Sequence, residues 1–169
     1  MKARWGLVLA AVLTVLPLPA LAQKPGPGGV IGYEATDARM NAAIDEARRT
    51  LPFFLEAFVT SPEDQRSAFS LKLGLTTYDG GVEHIWVSNL RLEGGAFVGE
   101  LANEPIGLPG MALGSPVDVD LDRVSDWSIL AKEGLYGGFT MRVMLADMPP
   151  QQREEMQAYL SAQPLPEGW

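Results

Sequence analysis

FSLKLGLTTYDGGVEHIWVSNLRLEGGAFVGEL, residues 69–101, is the stretch whose reading decides the fold. Phe69, Leu71, Leu73 and Leu75 alternate with Ser70, Lys72, Gly74 and Thr76, the period of two that marks a strand buried on one face. Tyr78-Asp79-Gly80-Gly81 has the composition of a hairpin turn, because glycine takes the positive φ that such turns require. A second strand is expected over Val82–Leu90, and Glu93-Gly94-Gly95 turns the chain into a third over Ala96–Leu101. Three successive strands joined by tight turns form an antiparallel meander.

Upstream the period is helical. Met40, Ala43, Ile44, Ala47, Leu51, Phe54, Leu55 and Phe58 recur in steps of three and four from Asp37 onward and so share one helix face. Thr36 or Asp37 can cap the first turn. Pro52 removes a backbone donor inside this run, which predicts a kink or a break near Thr50. Downstream, Asn103–Pro116 reads as an irregular connection. Val117, Val119 and Leu121 then alternate with Asp118, Asp120 and Asp122, and two further strands are expected over Trp127–Lys132 and Phe139–Leu145, separated by Gly134 and Gly137-Gly138. Asp147-Met148-Pro149-Pro150 opens a closing helix with Met156, Tyr159 and Leu160 on one face. The last residues, 162–169, read as a frayed tail. The expected fold class is α+β: an N-terminal helix packed on an antiparallel sheet of about five or six strands, then a short C-terminal helix.

Residues 1–22, MKARWGLVLAAVLTVLPLPALA, set the expected compartment. Lys2 and Arg4 precede an apolar run from Trp5 to Leu16, and Ala20-Leu21-Ala22 supplies the small-x-small site of a signal peptide cleaved after Ala22. The run falls short of the roughly 20 apolar residues that span a bilayer. Residues 23–36, rich in proline and glycine, read as a flexible linker, and residues 37–161 as one α+β domain. The chain has 13 Lys+Arg against 21 Asp+Glu, a net charge of −8, and the leader removes two of its basic residues. Neutralising phosphates needs clustered cations, so nucleic acid is excluded as a partner, as is the membrane after cleavage. With no cysteine, disulfides, zinc–thiolate sites, thiol nucleophiles and a lipidated tether are excluded as well. The expectation is a soluble periplasmic or secreted bacterial protein.

His84 is the one histidine, the side chain that titrates near neutrality, and so the first candidate for acid–base or ligand contact. On a strand it shares a face with Trp86 and Ser88, which also allows a purely structural hydrogen bond. In Ser125-Asp126-Trp127 the carboxylate is either a turn device accepting backbone N–H groups or a group at a pocket mouth with Trp127 as its wall. Glu104 can supply a second carboxylate, and Arg142 a partner for one across the sheet. A Ser-His-Asp triad can be drawn from Ser88 or Ser125, His84 and Asp126, but no G-x-S-x-G turn accompanies it. Asp118, Asp120 and Asp122 have the opening spacing of a calcium loop, but Arg123 and Ile129 stand where such a loop has glycine and glutamate. No metal and no cofactor is expected.

The order E-H-I-W (Glu83 to Trp86), N-E-P (Asn103 to Pro105), S-D-W (Ser125 to Trp127) and G-G-F-T-x-R (Gly137 to Arg142) is similar to that of the YegJ-like bacterial family, a domain of unknown function. The opening helix, with Met40-Asn41, Ala43 and Leu51-Pro52, resembles that family too. The resemblance implies no reaction, substrate or cofactor, but it groups these polar and aromatic residues into one design. Two functional expectations follow. The first is a small binding or interaction module for an unidentified small molecule or protein, using His84, Trp86, Glu104, Asp126, Trp127 and Arg142. The second is a small hydrolase or isomerase using His84 with Asp126 or Glu104.

Overall fold

The computed structural model describes residues 37–169, so the expected leader at 1–22 and linker at 23–36 lie outside the described residues. Asp37 caps the first helix, its carboxylate accepting from the backbone N–H groups of Arg39 and Met40. Helix α1 (Ala38–Thr60) then runs unbroken through Pro52. Proline leaves the Arg48 carbonyl without its helical donor, yet Leu51, Phe54 and Phe58 on either side stay buried against the sheet, and that packing holds the helix across the gap.

The sheet comprises β1 (Phe69–Thr76), β2 (Val82–Glu93), β3 (Ala96–Leu101), β4 (Pro116–Val119), β5 (Val124–Ala131) and β6 (Gly134–Gly137). Its order is β4-β3-β2-β1-β5-β6 with every neighbouring pair antiparallel. The expected meander forms β1 to β3. Strand β5 starts at Val124, three residues before the expected Trp127, and packs on the far side of β1. One sheet face carries Leu71, Leu73, Ile85, Val87 and Trp127 against Ala47, Phe54 and Phe58 of α1. The Trp127 indole N–H is shared between the Ala47 carbonyl and the Thr50 hydroxyl at 3.1 and 3.0 Å, so the helix supplies the partner that a buried indole needs.

Three expectations about the chain after β3 are corrected first. Gly134–Gly137, read as a separator, is strand β6, and Phe139–Met144, read as a strand, is helix α2. The alternation of Phe139, Met141 and Val143 fits both periods over so few residues. The decision lies in Gly137 and Gly138, whose φ values of 71° and 61° reverse the chain. Finally, β4 ends at Val119, and Leu121–Arg123 forms a 3-10 turn in which the Asp120 carboxylate accepts from Asp122 N–H.

The closing helix, α3 (Pro150–Tyr159), forms as expected, but it buries none of its own residues; Leu160, just past its end, is the buried one. Residues 162–169, expected to fray, are held in place: Pro164 O accepts from Gly137 N–H at 2.7 Å, and the Trp169 ring packs on Phe53 and Trp127.

A Cβ at Gly137 would lie 2.2 Å from the Trp127 carbonyl oxygen, whereas one at Gly80 would meet nothing within 4 Å. Gly80→Ala is expected to cost about 1–2 kcal/mol of left-handed strain alone. Gly137→Ala adds overpacking of about 1–3 kcal/mol. Thermal melting of the two variants checks the order, and equal losses would contradict it.

Candidate functional site

The β1 register builds the site. Lys72 lies opposite Trp86 on β2 and Asp126 on β5, so the three occupy one row on the sheet face away from α1. In the next row Gly74 lies opposite His84. Between these rows the β1–β5 register shifts, and Ser125 is the extra residue, a bulge of the kind that re-aims a side chain. Because Gly74 has no side chain, the imidazole lies over β1; a Cβ there would approach His84 Cε1 to 3.4 Å. The ring reaches across to β5, where His84 Nδ1 is 2.8 Å from Ser125 Oγ.

Ser125 Oγ also donates to the Lys72 carbonyl at 3.2 Å. With its proton used there, Ser125 accepts from His84 Nδ1–H, and the network assigns the tautomer that leaves Nε2 as an acceptor. One edge of the ring stays exposed. The other is desolvated against β1, which lowers its pKa, and the Lys72 and Arg48 charges lower it further.

Beside this pair lies a fully buried carboxylate. Asp126 Oδ1 accepts from the N–H groups of Trp127 and Phe139 at 2.8 and 3.1 Å. Oδ2 accepts from Thr140 N–H and Thr140 Oγ1 at 2.8 and 2.6 Å. Burial pushes the carboxyl up from its ordinary value, while these hydrogen bonds and Lys72 pull it down. Four donors facing two oxygens require acceptor lone pairs, which the carboxylate supplies and the acid does not fully supply. Lys72 Nζ donates to Thr140 Oγ1 at 3.2 Å and sits 5.7 Å from the Trp86 ring centroid. The hydroxyl thus relays between ammonium and carboxylate. Burial lowers the Lys72 pKa, and Asp126 opposes that.

The remaining candidates lie elsewhere. Trp127 is buried on the α1 side of the sheet, so it walls no pocket on the open face. Arg142 pairs with no carboxylate across the sheet, because it sits on α2. Its guanidinium donates to the carbonyls of Gly137, Leu135 and Ser161 and to Ser161 Oγ, fastening β6 to the segment after α3. Glu104 accepts from Leu113 N–H within its own loop. Glu83 accepts from Ile106 and Gly107 N–H, and Asn103 Oδ1 from Trp86 N–H, so side chain-to-backbone bonds tie E-H-I-W to N-E-P and to the two residues that follow it. Among the described residues, no group of three or more His, Cys, Asp or Glu side chains is arranged to hold a metal. Sequence reasoning missed Lys72. Its alternation on β1 was visible, but its position opposite both Trp86 and Asp126 depends on strand order.

Residues 37–161 match the family model described as "Uncharacterized protein conserved in bacteria (DUF2314)". The chain belongs to this family. The chain is similar to "Uncharacterized protein YegJ" of Escherichia coli K12, 27% identical over 121 residues, covering 72% of this chain and 76% of that protein. The "Putative ankyrin repeat protein NMB1133/NMB1171" of Neisseria meningitidis serogroup B is 31% identical over 136 residues, 76% of this chain but 54% of that protein. No solved structure matches. In this DUF2314 domain S-D-W and G-G-F-T-x-R form one clamp: the glycine pair turns the chain so that Phe139 and Thr140 present their N–H groups to Asp126.

Asp126→Asn keeps one acceptor oxygen but turns an NH2 group on buried donors. Each donor left unpaired costs about 1–3 kcal/mol, which melting should show as a fall of several degrees; a native midpoint would refute the clamp. The His84 ring is expected to titrate below 6.5, as NMR of its carbon-bound protons will show. Folding lowers this pKa, so the unfolded chain binds more protons in the window between the two values. The contribution is therefore intact above pH 6.5 and is lost as pH falls toward the folded value. His84→Asn should remove that part of the acid sensitivity.

Proposed function

We propose that the protein is an exported, soluble bacterial binding module whose recognition surface is the sheet face opposite α1, centred on His84, Trp86 and Lys72. One observation carries this reading: on that face these three retain unused chemistry while the other polar candidates, on that face and elsewhere, are consumed by the fold. Asp126, Ser125, Glu83, Glu104 and Arg142 all bond to backbone groups. Among the described residues, His84 Nε2 has no hydrogen-bond partner, and Lys72 Nζ uses one of its three donors, on Thr140. Export rests on the basic start, short apolar run and Ala-x-Ala site of residues 1–22.

The contact between His84 and Ser125 is the observation that favours a hydrolase. Three features oppose it. Ser125 is 1% exposed, its proton is held by the Lys72 carbonyl, and the histidine is oriented by that serine rather than by Asp126 or Glu104. A nucleophile must reach the substrate carbonyl with its base free to take the proton, and neither condition is met.

A thermal-shift screen of small metabolites against the mature chain tests the proposal, with every hit repeated on Trp86→Ala and His84→Ala. Stabilisation that disappears in both variants, while their own melting stays near native, is the expected result. Hits that persist in both would place recognition elsewhere, and ester hydrolysis abolished by Ser125→Ala would establish the enzyme instead. For export, expression with the natural leader should yield an extracytoplasmic chain whose intact mass begins at Gln23. Recovery of the full-length chain in the cytoplasm would overturn it.

A further inference from the structure

Resting on that binding surface, we infer that it takes a small organic carboxylate, with Lys72 and His84 meeting the anionic head and Trp86 and Val82 the apolar body. The charge decides the head group. Although the whole chain is acidic, the charges that act on His84 are those of the cations Lys72 and Arg48, while Asp126, in the Lys72 row, is buried with both oxygens hydrogen-bonded and Glu83 is bonded to the backbone of Ile106 and Gly107. A cationic ligand would therefore be repelled where an anion is attracted. The Lys72 ammonium is fixed by Thr140 and the Trp86 ring, so an arriving carboxylate meets a preorganised donor and little side-chain freedom is lost on binding.

The size of the available charge favours a monoanion. Lys72 is one cation, and its field is already shared with Asp126. A phosphate dianion would remain half uncompensated in a partly desolvated site, while a carboxylate is matched by the ammonium and by an imidazole that can take up a proton as the anion binds. The apolar body follows from the strand. Val82, His84 and Trp86 share one face of β2, with Val82 58% exposed and its Cγ1 3.1 Å from where a Gly74 Cβ would be. The imidazole is thus flanked by an aliphatic and an aromatic side chain, which suits an acid carrying a ring or short hydrocarbon better than a free inorganic anion.

Benzoate, benzyl alcohol and inorganic phosphate, titrated into the 15N-labelled mature protein, separate the possibilities. Benzoate should shift the Trp86 indole resonance and the amides around Lys72 and His84. Its affinity should fall about tenfold in Lys72→Met, the worth of one charge-assisted hydrogen bond. Because Lys72→Met also strips Asp126 of its counter-charge, Val82→Asp at an exposed position tests the charge without touching that pair. It should weaken benzoate more than benzyl alcohol, which loses the apolar contact but meets no repulsion. Benzyl alcohol binding as tightly as benzoate, or phosphate alone shifting these resonances, would overturn the carboxylate while leaving the surface in place. If no compound from the wider screen moves them either, the binding surface falls with it.

Discussion

The half of this domain built from β1, β5, β6 and α2 depends on a single buried charge. Asp126 accepts four hydrogen bonds from two structural pieces: its own strand through Trp127, and the first two residues of α2 through Phe139 and Thr140. A carboxylate removed from water is costly unless both oxygens are fully hydrogen-bonded and a cation stands close. The fold meets both conditions by placing Lys72 opposite it on β1 and letting the Thr140 hydroxyl join the two. The start of α2 is anchored on that carboxylate, and the turn at Gly137-Gly138 that brings it there also presents Gly137 N–H to Pro164 of the C-terminal segment.

Much of the architecture was legible because it depends on local periodicity. The meander from Phe69 to Leu101 and the long helix ending at Thr60 are amphipathic over enough residues for the period to be unambiguous. Phe139–Met144 was not legible, since six residues with apolar positions two apart satisfy either period, and the helix depends on the reversal at Gly137-Gly138, which brings its first N–H groups to a carboxylate thirteen positions earlier in the chain. Residues 162–169 misled for a similar reason. Their polar, proline-rich composition reads as a tail, and only Trp169 hinted at a docking contact, which requires the gap beside Phe53 and Trp127 to exist.

The candidate site shows the same divide. His84 and Trp86 could be assigned to one face from alternation alone, and they share it. Asp126 and Trp127 are adjacent in sequence, so on a strand they point to opposite faces, which separates a pair that a motif reading had joined. Lys72 escaped notice because nothing local distinguishes it from an ordinary solvent-facing lysine; its meaning comes from the β2-β1-β5 order. Gly74 escaped for the opposite reason. What matters there is a missing side chain, which lets an imidazole on β2 cross β1 and reach Ser125 on β5.

These placements tie recognition to stability through one residue. Lys72 both compensates Asp126 and, among the described residues, offers the ammonium on the open face near His84, so an anion bound there and the buried carboxylate draw on the same charge. Two anions sharing one cation in a partly desolvated setting each receive less than they would alone, so a ligand gains most when the rest of its contact is apolar. Trp86 and Val82 provide such a surface beside the histidine. A purely ionic ligand would compete with the clamp that holds α2, whereas one that relies partly on those two side chains leaves more of the Lys72 field for Asp126.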